Sequence, residues 1–175
     1  MQARGAKIFV VDPRRTETAK VAGEHIFIRP NTDVFFYLSF LHELLATTQL
    51  DRDRINRYMT GFDEMCRVAE AWPPERTAEV TAIPPETLRT LVRAYREADG
   101  AALYCSTGVN MGTNGSLAFW LQECINAISG NLDRQGGTLV STGVIDFAAF
   151  GKKTGVLLHQ NESRIGGFKS VNDAL

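Results

Sequence analysis

Cysteine and histidine are scarce in this chain of 175 residues, three of each. Cys66, Cys105 and Cys124 stand far apart, so no Cys-x-x-Cys or Cys/His ligand spacing exists to hold zinc or an iron–sulfur cluster. They read as buried free thiols. An excess of one charge is lacking too: 19 Lys+Arg face 20 Asp+Glu, a formal net charge of −1. That balance excludes the basic footprint of a nucleic-acid or anionic-membrane binder. No apolar run approaches the length of a bilayer. The start, Met1 to Gly5, has no apolar core and is not a signal peptide. No internal repeat is apparent. What remains is an ordinary soluble globular composition, 44% hydrophobic and 22% charged, long enough for one well-buried domain.

The stretch from Ile8 to Ala19 organises the chain. Ile8-Phe9-Val10-Val11 is a short apolar run, three of its four residues β-branched, and reads as a buried strand. Pro13 has no N–H to continue a ladder, so the strand ends at Asp12. A carboxylate at the end of a buried parallel strand is where nucleotide-binding α/β sheets read a ribose. Arg14 and Arg15 follow at once, with donor forks suited to phosphate or to stacking on a base. A strand, a turn and a solvated basic pair is the plainer reading. Thr16 as N-cap and Glu17 in the first turn predict a short helix to about Ala22.

His25-Ile26-Phe27-Ile28 predicts a second strand, stopped by Arg29-Pro30, with His25 at its partly buried end. Asn31-Thr32-Asp33 then introduces a helix from Asp33 to Thr47, apolar on most faces and so buried. Within it His42-Glu43-Leu44-Leu45-Ala46 has Ala46 where a zinc-protease helix needs its second histidine, so no metal is expected there. Residues 51–97 read as a cluster of helices without a catalytic constellation: Asp51 to Met59, Phe62 to Ala71, Glu75 to Thr81 and Glu86 to Glu97. Pro84-Pro85 opens the last of these, and Leu88, Leu91, Val92 and Tyr95 give it a core face.

Ala101 to Ser106 predicts a third strand, Leu103–Cys105 at its centre, followed by a Gly-rich loop, Thr107 to Gly115, and a helix, Ser116 to Ile128. Strand, Gly-rich loop and helix is the arrangement in which backbone N–H groups meet a phosphate. The spacing is neither GxGxxG nor a P-loop, so it is weak evidence alone. Thr138 to Ser141 is read as a short strand. Thr142 to Leu175, with Gly151-Lys152-Lys153 and Gly166-Gly167, reads as an extended tail, loosely held or packed on a second copy of the chain. The element order implies an α/β fold, a mostly parallel sheet of three to four strands with flanking helices. Asp12 to Thr16, Asn31 to Asp33 and Thr107 to Met111 then gather at the strands' carboxyl ends, where a nucleotide sits. Asp33 has a specific role available: guanine offers two neighbouring donors that one carboxylate can accept, and adenine does not. Its plainer reading is a helix cap.

Several of these segments carry a family resemblance. Val11-Asp12-Pro13-Arg14-Arg15-Thr16-Glu17-Thr18-Ala19, Ile28-Arg29-Pro30-Asn31-Thr32-Asp33, Thr60-Gly61-Phe62, Ala71-Trp72-Pro73-Pro74-Glu75-Arg76-Thr77-Ala78 and Ser129-Gly130-Asn131-Leu132 with Gly136-Gly137 occur in that order. Over about residues 5 to 138 the chain resembles the molybdopterin oxidoreductases of the dimethyl sulfoxide reductase type. The resemblance implies an internal piece of a larger enzyme with a molybdenum bis(molybdopterin guanine dinucleotide) cofactor. It implies that 1–138 is part of a Rossmann-like domain holding one guanosine arm, with a helical insert at 51–97, and that 139–175 belongs to a neighbouring domain. The cofactor-binding positions it implies are Asp12, Pro13, Arg14, Arg15, Thr16, Asn31, Thr32, Asp33, Thr107 and Met111.

The resemblance also sets expectations about what lies elsewhere. Nothing here matches the strand and Gly-rich loop expected before Ile8, or the molybdenum ligand. An iron–sulfur cluster is allowed in the whole enzyme but not in this piece, whose partner is the rest of the polypeptide and which should not turn over alone. The compartment, cytoplasmic or periplasmic, stays open. Formate dehydrogenases carry an arginine soon after the paired glycines; Thr138 to Phe147 has none, which makes a formate dehydrogenase parent doubtful. Two other readings compete: a fragment of a nicotinamide-dependent dehydrogenase, which lacks its upstream GxGxxG, and a non-catalytic helical scaffold or interaction module.

Overall fold

The computed structural model describes residues 2–47, 50, 52–139 and 146–154. It divides into two compact units, 1–139 and 140–175. In the first, β1 (Phe9–Val11) and β2 (Glu24–Ile26) pair in parallel, with Phe9 opposite Glu24 and Val11 opposite Ile26. The ladder runs one residue further, as Asp12 N donates to Ile26 O at 3.1 Å. Two parallel strands need a crossover, and α1 (Glu17–Val21) supplies it. Thr16 caps α1 by accepting from Ala19 N at 3.3 Å. Gly23 closes the return: its φ is +98°, and a Cβ there would lie 2.1 Å from Ile8 O, the acceptor of the Glu24 N–H.

The core is built around α2 (Asp33–Thr47). Val34, Phe36, Tyr37, Leu38, Phe40, Leu41 and Leu44 are all buried, so the helix hides nearly every face. Four helices pack on it: α4 (Phe62–Glu70), α5 (Pro74–Thr81), α6 (Pro85–Glu97) and α8 (Gly115–Ile128). The short α3 (Arg52–Tyr58) packs on α8. Phe40 of α2 meets Tyr95 of α6 edge-on, ring centroids 5.3 Å apart. Pro74 and Pro85 stand at the first positions of α5 and α6, where a missing N–H costs nothing. The His42-Glu43 pair is used structurally. His42 Nδ1 donates to Ala69 O at 3.0 Å, and Glu43 accepts from Arg89 Nε at 3.2 Å.

Four expectations are corrected. The second strand is Glu24–Ile26, not His25–Ile28: β1 ends at Asp12-Pro13, so residues beyond Ile26 have no strand to pair with. Arg29 N donates instead to Thr81 O of α5, at 2.8 Å. Leu103–Cys105 is extended but is not a strand, because no strand lies beside it among the described residues. Its backbone is held by side chains: Leu103 N donates to Asn126 Oδ1, and Leu103 O accepts from Gln122 Nε2 and Asn126 Nδ2. The described sheet therefore has two strands rather than three or four, and the helices gather on α2 rather than on both faces of a sheet. Finally, the Gly-rich loop contains a helical turn, α7 (Thr107–Asn110).

Thr138 forms an isolated parallel bridge with Leu132. Val140 and Ser141 of the expected short strand lie outside the described residues, as does the tail apart from 146–154. In that second unit α9 (Phe147–Thr154) is capped by Asp146, whose Oδ1 accepts from Ala149 N at 2.9 Å. Cys105 and Cys124 are buried as expected, whereas Cys66 is half-buried. No helix among the described residues is long and apolar enough to cross a membrane.

The Thr16 cap has a measurable consequence. Thr16→Ala is expected to lower stability by about 1 kcal/mol, the usual value of a lost N-cap, while Thr16→Ser keeps most of it. Urea denaturation with an unchanged m-value is the check.

Candidate functional site

The site follows from where β1 and β2 end. Asp12, just past β1, turns the chain by accepting from Arg14 N on Oδ1 at 2.7 Å. Its second oxygen has no described partner. His25 of β2 donates from Nε2 to Asp12 O at 2.9 Å, fixing the turn from the neighbouring strand. Pro13, Arg14 and Arg15 are exposed, so both guanidinium groups stand free to meet a ligand.

After β2, Thr32 is buried and its hydroxyl donates to Arg29 O at 2.6 Å. This tightens the turn that starts α2. Asn31 has a φ of +63°, which Asn tolerates better than most residues, and aims its amide across 82 positions of sequence. Its Nδ2 donates to Thr113 Oγ1 at 3.0 Å, and its Oδ1 accepts from Thr113 N at 2.8 Å. Gly112 lies under that contact, where a Cβ would stand 2.9 Å from Asn31 Oδ1.

Asp33 is the first residue of α2 and is half-buried. Burial pushes its carboxyl above the ordinary range; its own backbone N–H opposes this, and the like charge of Asp12 adds to it. Asp12 and Asp33 are thus near enough to feel one another. No side-chain donor among the described residues reaches the Asp33 carboxylate. One turn on, Tyr37 is buried, and burial raises its phenol far above the usual range, with the neighbouring Cys105 thiol and Asp33 carboxylate adding to it. Cys105 donates in turn to Gln122 Oε1 at 3.2 Å.

A shallow recess of about 10 Å³, room for no more than a water, lies beside Asn31 and Asp33. Asn31, Asp33 and Val34 form one wall; Val109, Gly112 and Asn114 face them, with Gly115 and Ala118 of α8 below. Gly115 lets α7 and α8 meet closely, since a Cβ there would fall 2.2 Å from Asn110 O. So the structure brings Asn31 and Asp33 to the Gly-rich loop, and Asp12 to their neighbourhood. It does not bring Thr107 or Met111 into the recess; both are exposed, Met111 almost fully. Thr16 and Thr32 spend their hydroxyls on backbone. Thr113 and Tyr37 are contributors that sequence reasoning passed over. Their chemistry is common, and only the packing of α2 against the loop gives them a role.

A second recess lies along the later turns of α2, among His42, Leu45, Phe62 and Cys66. Burial raises the Cys66 thiol, so it is not an activated thiolate. Among the described residues no group of three His, Cys, Asp or Glu stands close enough to hold a metal ion.

Known proteins share this segment. No protein-family model matches the chain. It is 31% identical over 134 residues to the alpha subunit of the F420-dependent formate dehydrogenase 2 of Methanococcus maripaludis, covering 75% of this chain and 20% of that one. It is 31% identical over 150 residues to the periplasmic nitrate reductase of Desulfovibrio desulfuricans, covering 78% and 19%. Among solved structures, acetylene hydratase from Pelobacter acetylenicus superposes with a TM-score of 0.69 at 25% identity, over 74% of this chain and 18% of that one. The chain thus spans about a fifth of the length of the curated relatives it matches.

Proposed function

From a chain whose homologues are molybdopterin oxidoreductases, aligned with one segment of each, we propose that it contributes the surface that binds one guanosine arm of a molybdopterin guanine dinucleotide cofactor within a larger redox enzyme. The observation that carries this reading is Asp33: a half-buried carboxylate, disfavoured as an anion where it sits, without a described donor from any other residue. Such a group is costly unless something donates to it. Guanine's ring N–H and exocyclic amine are two adjacent donors that match one carboxylate. The residues present therefore fit the group. Asp33 would take the base edge, the free oxygen of Asp12 a ribose hydroxyl, Arg14 the base face and Arg15 a phosphate.

The comparisons support this reading in a second way. The same segment recurs in proteins named for formate, nitrate and acetylene. A segment common to such different substrates serves something they share, and a shared cofactor is the simplest candidate. When bound, that cofactor supplies the redox centre at molybdenum. This chain's residues would hold its nucleotide end and orient it. Residues 1–138 act in this reading as part of the nucleotide-binding domain. The chain alone has no turnover.

The test is calorimetric titration of the chain with guanosine diphosphate, adenosine diphosphate and NAD at neutral pH. Guanosine diphosphate is expected to bind more tightly than either adenine nucleotide. Equal binding of all three, or none, would remove the guanine reading. Tighter binding of NAD would put a nicotinamide-dependent enzyme in its place.

A further inference from the structure

Asn31 is one of the positions expected to touch the cofactor, yet both polar atoms of its side chain are engaged by Thr113. Nδ2 donates to the hydroxyl and Oδ1 accepts from the backbone N–H. The residue is placed for this by its backbone, at a φ of +63°, and by Gly112, where a Cβ would crowd Oδ1 at 2.9 Å. The pair ties the turn before α2, which carries Asp33, to the loop between α7 and α8, which forms the opposite wall of the recess. Elsewhere on that wall Val109, Gly112, Gly115 and Ala118 have no polar side chain and Asn114 makes no side-chain cap bond to α8; the loop's other described side-chain tie is Asn110 Oδ1, which accepts from Cys105 Sγ at 3.7 Å.

We infer that Asn31 is a positioning residue: its amide clamp on Thr113 holds the 107–115 loop against the Asp33 recess, and so sets how slowly a guanine nucleotide leaves. The inference rests on the guanine reading of Asp33 but assigns Asn31 a different task from ligand contact. A clamp of this kind acts on residence time rather than on the choice of base. Choice belongs to the donor pattern read by Asp33, whereas the clamp meets no part of that pattern. Its loss removes two hydrogen bonds that must break for the loop to swing out.

Asn31→Gly is the clean substitution, because glycine accepts the positive φ that Asn31 already has and removes the side chain that carries the amide. Thr113→Val removes the hydroxyl from the other side, and Thr113→Ser restores it. Stopped-flow displacement of a fluorescent guanosine diphosphate from the full chain reads the release rate. Hydrogen exchange at 112–115 reads the loop. Release is expected to quicken roughly tenfold in Asn31→Gly, about threefold in Thr113→Val, and hardly at all in Thr113→Ser. The ratio of guanosine to adenosine diphosphate affinity should stay at the wild-type value in all three. Exchange at 112–115 should rise in Asn31→Gly. Wild-type release from Asn31→Gly overturns the clamp while leaving the guanine reading intact. A changed base ratio also overturns it, because Asn31 would then be a contact residue. Absence of guanine binding in the wild type sinks the guanine reading and, with it, the role in release; unaltered exchange at 112–115 sinks the clamp itself.

Discussion

Asp33→Asn is expected to lower guanosine diphosphate affinity by roughly 10- to 100-fold, the value of a hydrogen bond to a charged group, about 1.5–3 kcal/mol, while adenosine diphosphate binding changes little. Asparagine replaces one acceptor by an N–H pair, so one guanine donor meets a donor. The same substitution should not lower stability at neutral pH. The folded-state pKa of Asp33 is raised, chiefly by burial. The unfolded state therefore releases this proton more readily than the folded state. Stability from this group falls as pH climbs from the ordinary carboxylate pKa to the raised one, and the full penalty is present above that window. Asparagine carries no charge and escapes the penalty. The expected pair of results is lost guanine preference with a melting temperature at pH 7 no lower than wild type, and a stability difference that grows in the variant's favour as pH climbs above the ordinary carboxylate pKa. A residue that merely starts the helix would behave in the opposite way: lower stability, unaltered base preference. Calorimetric titration beside thermal melts across pH separates the two.

Asn126→Ala is expected to destabilise the chain by about 2–4 kcal/mol, the cost of a buried cavity plus an unpaired backbone group. Asn126 is fully buried in α8. Its Oδ1 accepts from Leu103 N at 3.2 Å and from the Tyr95 hydroxyl at 2.9 Å, and its Nδ2 donates to Leu103 O at 2.9 Å. It stands in for the strand that an extended segment would normally pair with. Without it Leu103 N–H loses its partner, though Tyr95 keeps Ser129 Oγ at 3.0 Å. Gln122→Ala should cost less, since Leu103 O retains the Asn126 donor. Urea denaturation of both variants reads the difference. Equal costs would show that the amides of α8 act as space-fillers and not as a substitute ladder.

Much of the helical architecture was legible because its signals are local. A polar triplet before a long apolar run marks the start of α2, and its bounds, Asp33–Thr47, are those expected from the sequence. Thr16 before Glu17 announces the cap that the structure shows. Pro84-Pro85 marks the start of α6 for a reason that sits in one residue, whereas α5, expected from Glu75, already includes Pro74. Strands were legible only where both partners lie close in the chain. Ile8 to Val11 and the run after Gly23 are joined by a five-residue helix and pair as expected. Where that pairing stops was less legible. Ile26 and Ile28 are buried and Phe27 is half-exposed, so the alternation of a strand persists after the partner has ended at Pro13.

The sequence by itself determined which groups are available: a carboxylate after each strand, two arginines beside the first, glycines in the loop, and apolar faces enough for a helix buried on most sides. These are properties of single residues and their near neighbours, and chain chemistry suffices to state them. Only the tertiary structure decided which groups are spent and which are left. Thr16 and Thr32 turn to backbone, Asn31 closes on Thr113, and Leu103 finds amides of α8 in place of a strand. Asp33 keeps a half-buried carboxylate that no other described side chain satisfies. A hydrogen bond is formed by whichever partner the fold brings within about 3 Å. For Asn31 and Thr113 that partner is 82 residues away, and no reading of spacing along the chain contains it.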